Sequence, residues 1–347
     1  MGDEMLLAKL NGKIVTANQS LNRKYKYYCL VCGELVVFKC GHVMMPYFAH
    51  RKGSDCVGSE GETSEHLLGK KQIFNWAEKM GYQPQYEVYF KKIKQRPDIL
   101  VEVDGYKVAI EFQCSPLSHA RLYERNQGYR KLGIKFIWAL GAPYRRKMRD
   151  EKVAQFTQVI NQQLCIVFWN TQTASFEFNR SFNSIELINN QQPYKITLSQ
   201  TETISKKIIT RAPDIKRIAE LCYMQQHDLR LIPIVAHYQK DDWPLMSVKR
   251  TFFQTELLLK LEQFELKTLW TKTDWLLLLG SIAKGNWLSF ECVRQIKRYQ
   301  QRYLIEFTNE LIAAAIIRTQ DELIYLNQYP VWFQSEFEKN EQIKNVP

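Results

Sequence analysis

Apolar and polar residues alternate with a period of two from Asp98 to Gln113, and the run is split by Asp104-Gly105. Such alternation on both sides of an Asp-Gly pair predicts a β-hairpin closed by a two-residue turn. The turn sets the register. Val103 pairs with Tyr106, and counting outward brings Asp98 opposite Glu111, with Gln113 two residues further along the same face. Opposed side chains lie about 4.5–5.5 Å apart at Cβ, so two like charges destabilise the pair until something resolves the repulsion. A divalent cation would do so, because ions such as Mg²⁺ take oxygen ligands, usually one or two carboxylates with water and phosphate.

The pattern around the hairpin changes to helical spacing and back. Thr63 to Met80 reads as a helix opened by Thr/Ser, with Leu67, Leu68, Ile73, Phe74, Trp76, Ala77 and Met80 on its apolar side and Gly81 as its stop. Strands are predicted at Tyr86–Phe90, Asp98–Val103, Tyr106–Gln113 and Ile134–Leu140, with a helix from about Ser118 to Leu132. Ala142 to Arg149 reads as a linker or the start of a basic helix. Leu164–Asn170 and Ser175–Asn179 then form a hairpin that extends the sheet. From about Ile204 onward helical spacing dominates, through Leu257-Leu258-Leu259, Leu276 to Leu279 and Ile312 to Ile317. The aromatic residues of that region read as core. The expected fold class is therefore α/β (α+β), with a mainly helical C-terminal domain.

Composition narrows the function classes. A chain of 347 residues with 18 Tyr, 18 Phe and 8 Trp is folded and long enough for two or three domains. It has no apolar run of membrane-spanning length and no signal-peptide core at its N-terminus, so a soluble intracellular protein is expected. No internal repeat, Walker loop or dinucleotide fingerprint occurs, and ATP-driven chemistry is not expected. The net charge of +12 points to a polyanionic partner. Residues 1–145 carry 22 Lys+Arg against 14 Asp+Glu, while residues 146–347 carry 26 against 22, so the basic excess lies with the hairpin.

That charge suggests nucleic-acid contacts. Lys91, Lys92, Lys94 and Arg96 run directly into Pro97-Asp98, a position suited to a phosphate backbone. Arg121, Arg125 and Tyr129 recur at four-residue spacing and share a helix face, which could hold a phosphate and stack a base of single-stranded DNA; an ordinary solvated face has the same spacing. Cysteine placement adds a second centre. Four of the eight cysteines lie in the first 56 residues, and Cys29-x2-Cys32 followed by His50-x5-Cys56 completes a tetrahedral set for structural zinc. Cys40 and His42 are competing ligands, and a metal-free cluster is the alternative.

The Pro97-Asp98 pair, twelve residues, then Glu111-x-Gln113 resembles the PD-(D/E)XK nuclease signature with glutamine in place of lysine. The element order α-β-β-β-α-β matches the restriction-endonuclease-like core, and Glu65 matches the helix glutamate that often joins the metal site in those nucleases. Tyr28-Cys29-Leu30-Val31-Cys32, Pro46-Tyr47-Phe48-Ala49-His50, Ser64-Glu65-His66-Leu67-Leu68-Gly69-Lys70, Arg96-Pro97-Asp98-Ile99-Leu100 and Glu111-Phe112-Gln113-Cys114-Ser115 together resemble the competence protein CoiA family across roughly residues 5–145. The extra Cys40-Gly41-His42 departs from that pattern, as Gln113 does from the nuclease lysine.

The resemblance implies a cytoplasmic role in natural competence, processing or recombining incoming single-stranded DNA, with a recombination protein such as a RecA-type recombinase as an implied partner. It assigns nuclease-like roles to Glu65, Asp98, Glu111 and Gln113, with Mg²⁺ or Mn²⁺ on Asp98 and Glu111. Glutamine at position 113 adds no charge, so Lys70 or Lys71 could reach the site from the preceding helix. The expected division is a zinc-finger-like segment at 1–60, a nuclease-like domain at 61–180 and the helical domain at 181–347. Two readings stay open: a metal-dependent deoxyribonuclease, and a non-catalytic DNA-binding recombination mediator that keeps the fold.

Overall fold

The computed structural model describes residues 4–18, 20–30, 32–41, 46–51, 56, 63–146, 148–179, 193–237 and 243–344. The chain divides into two compact units, Met1–Arg180 and Ser181–Pro347.

The first unit opens with an antiparallel sheet of β1 (Glu4–Met5), β2 (Leu7–Leu10), β3 (Lys13–Thr16), β4 (Tyr27–Tyr28), β5 (Leu35–Lys39) and β6 (Tyr47–Ala49), in the order β1-β6-β5-β4-β2-β3. One face buries Ala8, Tyr27, Val36, Phe38 and Phe48, with the Tyr27, Phe38 and Phe48 rings in mutual contact.

A second sheet follows helix α1 (Ser64–Lys79). Its strands β7 (Gln85–Tyr86), β8 (Ile99–Val103), β9 (Tyr106–Gln113), β10 (Lys135–Leu140), β11 (Gln158–Ile160) and β12 (Gln163–Asn170) run in the order β11-β12-β10-β9-β8-β7, and β13 (Ser175–Asn179) pairs with β12. Helix α2 (His119–Lys131) joins β9 to β10, which lie parallel, and the short helices α3 (Ala142–Arg145) and α4 (Asp150–Phe156) follow β10. The central hairpin has the expected register, Val103 opposite Tyr106 and Ile99 opposite Ile110, around a turn in which Asp104 and Gly105 have φ of 49° and 75°. Positive φ at both central residues is the type I′ geometry that favours Asp-Gly. Ile73 and Ala77 of α1 cover Ile99, Val101, Val108 and Ile110 on one face, while Tyr129 of α2 packs with Leu100, Ala109 and Ile134 on the other.

Both helices begin where a capping residue predicts. The Thr63 side chain accepts from the His66 N–H and that of Ser118 from the Arg121 N–H, each satisfying an otherwise orphaned donor. The expected strand Tyr86–Phe90 is cut to Gln85–Tyr86, because Glu87 has φ of 52° and leaves the ladder. Phe90 and Gln95 then form an isolated bridge that carries Lys91 to Lys94 on a turn.

The second unit contains α5 (Pro193–Ile209), α6 (Lys216–Met224), α7 (Arg250–Leu261), β14 (Leu269–Thr271), α8 (Lys272–Ala283), α9 (Ile296–Ala313), β15 (Ile317–Gln320), β16 (Leu323–Leu326) and α10 (Glu336–Lys344). It is mainly helical, but a three-stranded sheet β14-β16-β15 interrupts the helices. The expected helical run at Ile312 to Ile317 therefore ends early: α9 stops at Ala313, and Ile317 opens a hairpin whose turn residues Asp321 and Glu322 have φ of 49° and 66°. No helix of the described residues is long and apolar enough to cross a membrane.

Candidate active site and metal centre

Asp98 stands just before β8, and the hairpin register continued outward sets it opposite Glu111 of β9. Positive groups of the chain offset both charges: His66 and Lys70 lie against Asp98, and Arg125 lies against Glu111. Asp98 Oδ2 accepts from the Phe112 N–H at 2.8 Å and lies 3.2 Å from His66 Nε2, while Oδ1 lies 3.5 Å from Lys70 Nζ. Burial alone would raise the Asp98 pKa. The charges of His66 and Lys70, together with the hydrogen bonds from His66 and Phe112, outweigh it and hold this carboxyl well below the usual carboxylate range.

Glu111 is held from the opposite side. Its Oε1 accepts from Arg125 Nη2 at 2.5 Å and from the Tyr129 hydroxyl. Burial first, and then the neighbouring Asp98 charge, raise the Glu111 pKa against the pull of Arg125. Arg125 also donates to the Arg96 carbonyl at 3.1 Å and lies over the Trp138 ring, 5.7 Å from its centre.

These contacts redistribute several sequence expectations. Tyr129 is fully buried, so it offers no face to a base, and Arg125 faces inward with it. Arg121 remains near the surface in an ion pair with Glu124 at 2.7 Å. Arg96 pairs with Glu87 at 3.0 Å and keeps its side chain 20% exposed. Lys91, Lys92 and Lys94 are exposed on their turn, as a backbone contact requires. Gln113 ends β9 two residues beyond Glu111, and its amide donates to the Ser115 carbonyl at 2.7 Å. Glu65 Oε1 accepts from the Ala142 N–H at 2.7 Å, at the start of α3. Gly141 permits that approach, since a Cβ there would lie 3.0 Å from Glu65 Oε1 and 2.5 Å from Cys114 Sγ.

Two residues absent from the expected set lie beside these carboxylates, and of the two candidate lysines Lys70 lies 3.5 Å from Asp98 while Lys71 is exposed. His66 stacks on Phe112 at 5.8 Å between ring centres while contacting Asp98. Glu87, buried and in a left-handed conformation, binds Lys70 at 2.5 Å and so ties α1 to the sheet edge. A lone histidine and a lone glutamate carry no spacing signal, although His66 and Lys70 at four-residue spacing on one helix face are a pattern that could have marked them. Gly69 lies between them. A Cβ on Gly69 would come within 2.1 Å of Phe112 Cε1, so glycine is what lets α1 seat its charged residues against β9. The side chains of His66 and Asp98 are 15% and 16% exposed, whereas those of Lys70, Glu87 and Glu111 are below 5%, so Asp98 is the carboxylate of the network that reaches solvent.

The second centre lies at the end of the first sheet. The ligand atoms of Cys29, Cys32, His50 and Cys56 all lie within 4.8 Å of one another, with Cys29 Sγ 3.9 Å from Cys56 Sγ and Cys32 Sγ 3.3 Å from His50 Nε2. Three sulfurs and an imidazole nitrogen form a donor set that can hold a metal ion such as zinc. Of the competing ligands, Cys40 is half-buried beside the sheet core and outside this group, and His42 lies outside the described residues. Among the described residues no other group of three or more such side chains converges in this way.

A mixed sheet whose central hairpin carries Asp98 and Glu111, flanked by α1 and α2 and preceded by a Cys/His cluster, defines a nuclease-like α/β protein. The family model described as "Competence protein CoiA, nuclease-like domain" matches residues 62–231, and that described as "Competence protein CoiA, N-terminal domain" matches residues 11–59. A curated relative, "Competence protein CoiA" of Bacillus subtilis (strain 168), is 33% identical over 125 residues, which is 36% of this chain and 33% of the relative. The match thus spans about a third of that relative's length. No solved structure matches the chain. The chain belongs to the competence protein CoiA family.

Proposed function

We propose that the protein processes DNA in natural competence as a metal-dependent phosphodiesterase, with its active centre at Asp98 and Glu111 and single-stranded DNA as its substrate. The observation that carries this reading is Asp98: a carboxylate held ionised just before β8 by His66, Lys70 and the Phe112 N–H, in register with a second carboxylate. Hard oxygen donors of this kind fit Mg²⁺ or Mn²⁺. Bound there, such an ion would lower the pKa of a coordinated water and draw charge from the phosphate oxygens. Lys70 supplies from α1 the positive charge that Gln113 lacks, Glu87 steadies Lys70, and Arg125 with Tyr129 fixes the Glu111 carboxylate. Glu65 orders the α3 start beside the same strand end. Lys91, Lys92 and Lys94 track the backbone from their exposed turn.

Zinc in the Cys29-Cys32-His50-Cys56 set completes the N-terminal segment, in our division 1–60, 61–180 and 181–347. The protein acts in the cytoplasm, where a RecA-type recombinase is the fitting partner for a strand it has processed. The second reading, a recombination mediator without catalysis, is favoured by Glu111, whose oxygen is already engaged by Arg125 and Tyr129. Incubation of the purified protein with labelled single- and double-stranded DNA in Mg²⁺, Mn²⁺ or chelator separates the two. Metal-dependent cleavage that disappears in Asp98→Ala supports the nuclease. DNA binding without cleavage under every metal leaves the mediator.

A further inference from the structure

The outer face of the first sheet carries a row of side chains that the core does not use. Cross-strand partners place Ile14 beside Lys9, Lys9 beside Tyr28 and Tyr28 beside Leu35, one residue from each of β3, β2, β4 and β5. With strands about 4.8 Å apart, this row is about 14 Å long. Ile14 is 64% exposed, Tyr28 40% and Leu35 38%, and Lys9 is exposed between them. Further along β5, Val37 is 37% exposed and Lys39 places its Nζ 5.8 Å from the centre of the Tyr47 ring, its cross-strand neighbour. The opposite face of these strands is filled by Tyr27, Val36, Phe38 and Phe48, so the outward residues are not needed to complete the core.

We propose that this face is a second DNA-contacting surface, on which Tyr28 stacks a base of a single strand while Lys9 and Lys39 meet its phosphates. Charge and shape select the occupant. Lysines interleaved with an aromatic ring and flat aliphatic side chains suit a polyanion that exposes planar apolar bases, and a single strand presents both whereas a duplex hides its bases. Cys29 and Cys32 leave β4 directly after Tyr28, so the Cys/His cluster fixes the chain end from which the ring projects. The inference rests on the reading that DNA is the partner and is independent of whether the protein cleaves it.

The test is binding of fluorescein-labelled oligothymidylate to the full chain by anisotropy, without divalent metal and across a salt series. Tyr28→Ala is expected to weaken binding about tenfold, and Tyr28→Phe to retain it, because stacking needs the ring and not the hydroxyl. Lys9→Gln combined with Lys39→Gln should lower the salt slope by about 1.4, at about 0.7 per phosphate contact on a single strand. Melting temperatures check that each variant is folded. Affinity unchanged in Tyr28→Ala, or equally lost in a folded Tyr28→Phe, overturns the proposal, including the case in which the face serves a protein partner. Wild type that binds no single strand overturns it together with the DNA reading, whereas binding without cleavage overturns only the nuclease.

Discussion

Replacing Lys70 by Met removes a positive charge from between two carboxylates. The Lys70 Nζ is 2.5 Å from Glu87 and 3.5 Å from Asp98, with the lysine fully buried. Breaking a buried pair by deleting one partner costs about 3–5 kcal/mol, because a desolvated charge is left uncompensated. Arg96 at 3.0 Å still serves Glu87 and His66 at 3.2 Å still serves Asp98, which places the cost at the lower end, about 3 kcal/mol. For a unit of this size that is a fall of about 6–12 °C in melting temperature, read by scanning calorimetry.

The sign with pH follows from Asp98. Its pKa is depressed in the folded state, so its contribution is fully present above the unfolded value of about 3.9, declines below it and is lost only as pH falls through the much lower folded value. The gap between wild type and Lys70→Met should therefore be full at neutral pH and still present at about pH 4, narrowing only as stronger acid protonates Asp98 in the folded state. Adding Glu87→Gln should recover part of the loss by removing the stranded charge. A shift smaller than about 2 °C, or a gap that does not change with pH, would refute the view that Lys70 compensates this pair.

Elemental analysis should find about one zinc per chain, lost in the Cys29→Ser, Cys32→Ser double variant; metal-free protein with an intact fold would contradict the cluster's assignment. Gly69→Ala forces a methyl against Phe112 and should cost about 1–3 kcal/mol by chemical denaturation while reducing cleavage, since His66 and Lys70 move with the helix. An unchanged midpoint and rate would show that the close approach is not needed. In the second unit, burial pushes the pKa of Lys339 down to about 7, against an unfolded value of about 10.4. Between those values the unfolded chain binds the proton that the folded state lacks, so stability should rise with pH, and Lys339→Met should flatten that rise in urea titrations at about pH 7 and pH 10.

The hairpin and its register were legible because Asp-Gly specifies one turn and a strand's period of two then fixes every pair. Helix starts were legible at Thr63 and Ser118, where a side chain satisfies a backbone donor. The convergence of Cys29, Cys32, His50 and Cys56 was legible from spacing, since few residue types suit such a set. Tertiary placement was not. The spacing of Arg125 and Tyr129 identified a shared face but carried no information on whether it turned to solvent or to Glu111. Glu87 read as a strand residue, and only its contacts with Lys70 and Arg96 explain the left-handed backbone that ends β7. The strand at Ile317 was hidden because its apolar residues continue the spacing of α9 without a break.

The most direct test of the carboxylate centre is the rate at which excess protein cleaves a 5′-labelled single strand in Mn²⁺, comparing wild type with Asp98→Asn. Asparagine keeps the shape and one oxygen but removes the charge that His66 and Lys70 hold in place. The account predicts Mn²⁺-dependent cleavage by wild type and a loss of about a hundredfold or more in Asp98→Asn, with single-strand affinity preserved. Cleavage of equal rate in the two proteins, or none by wild type, would contradict it.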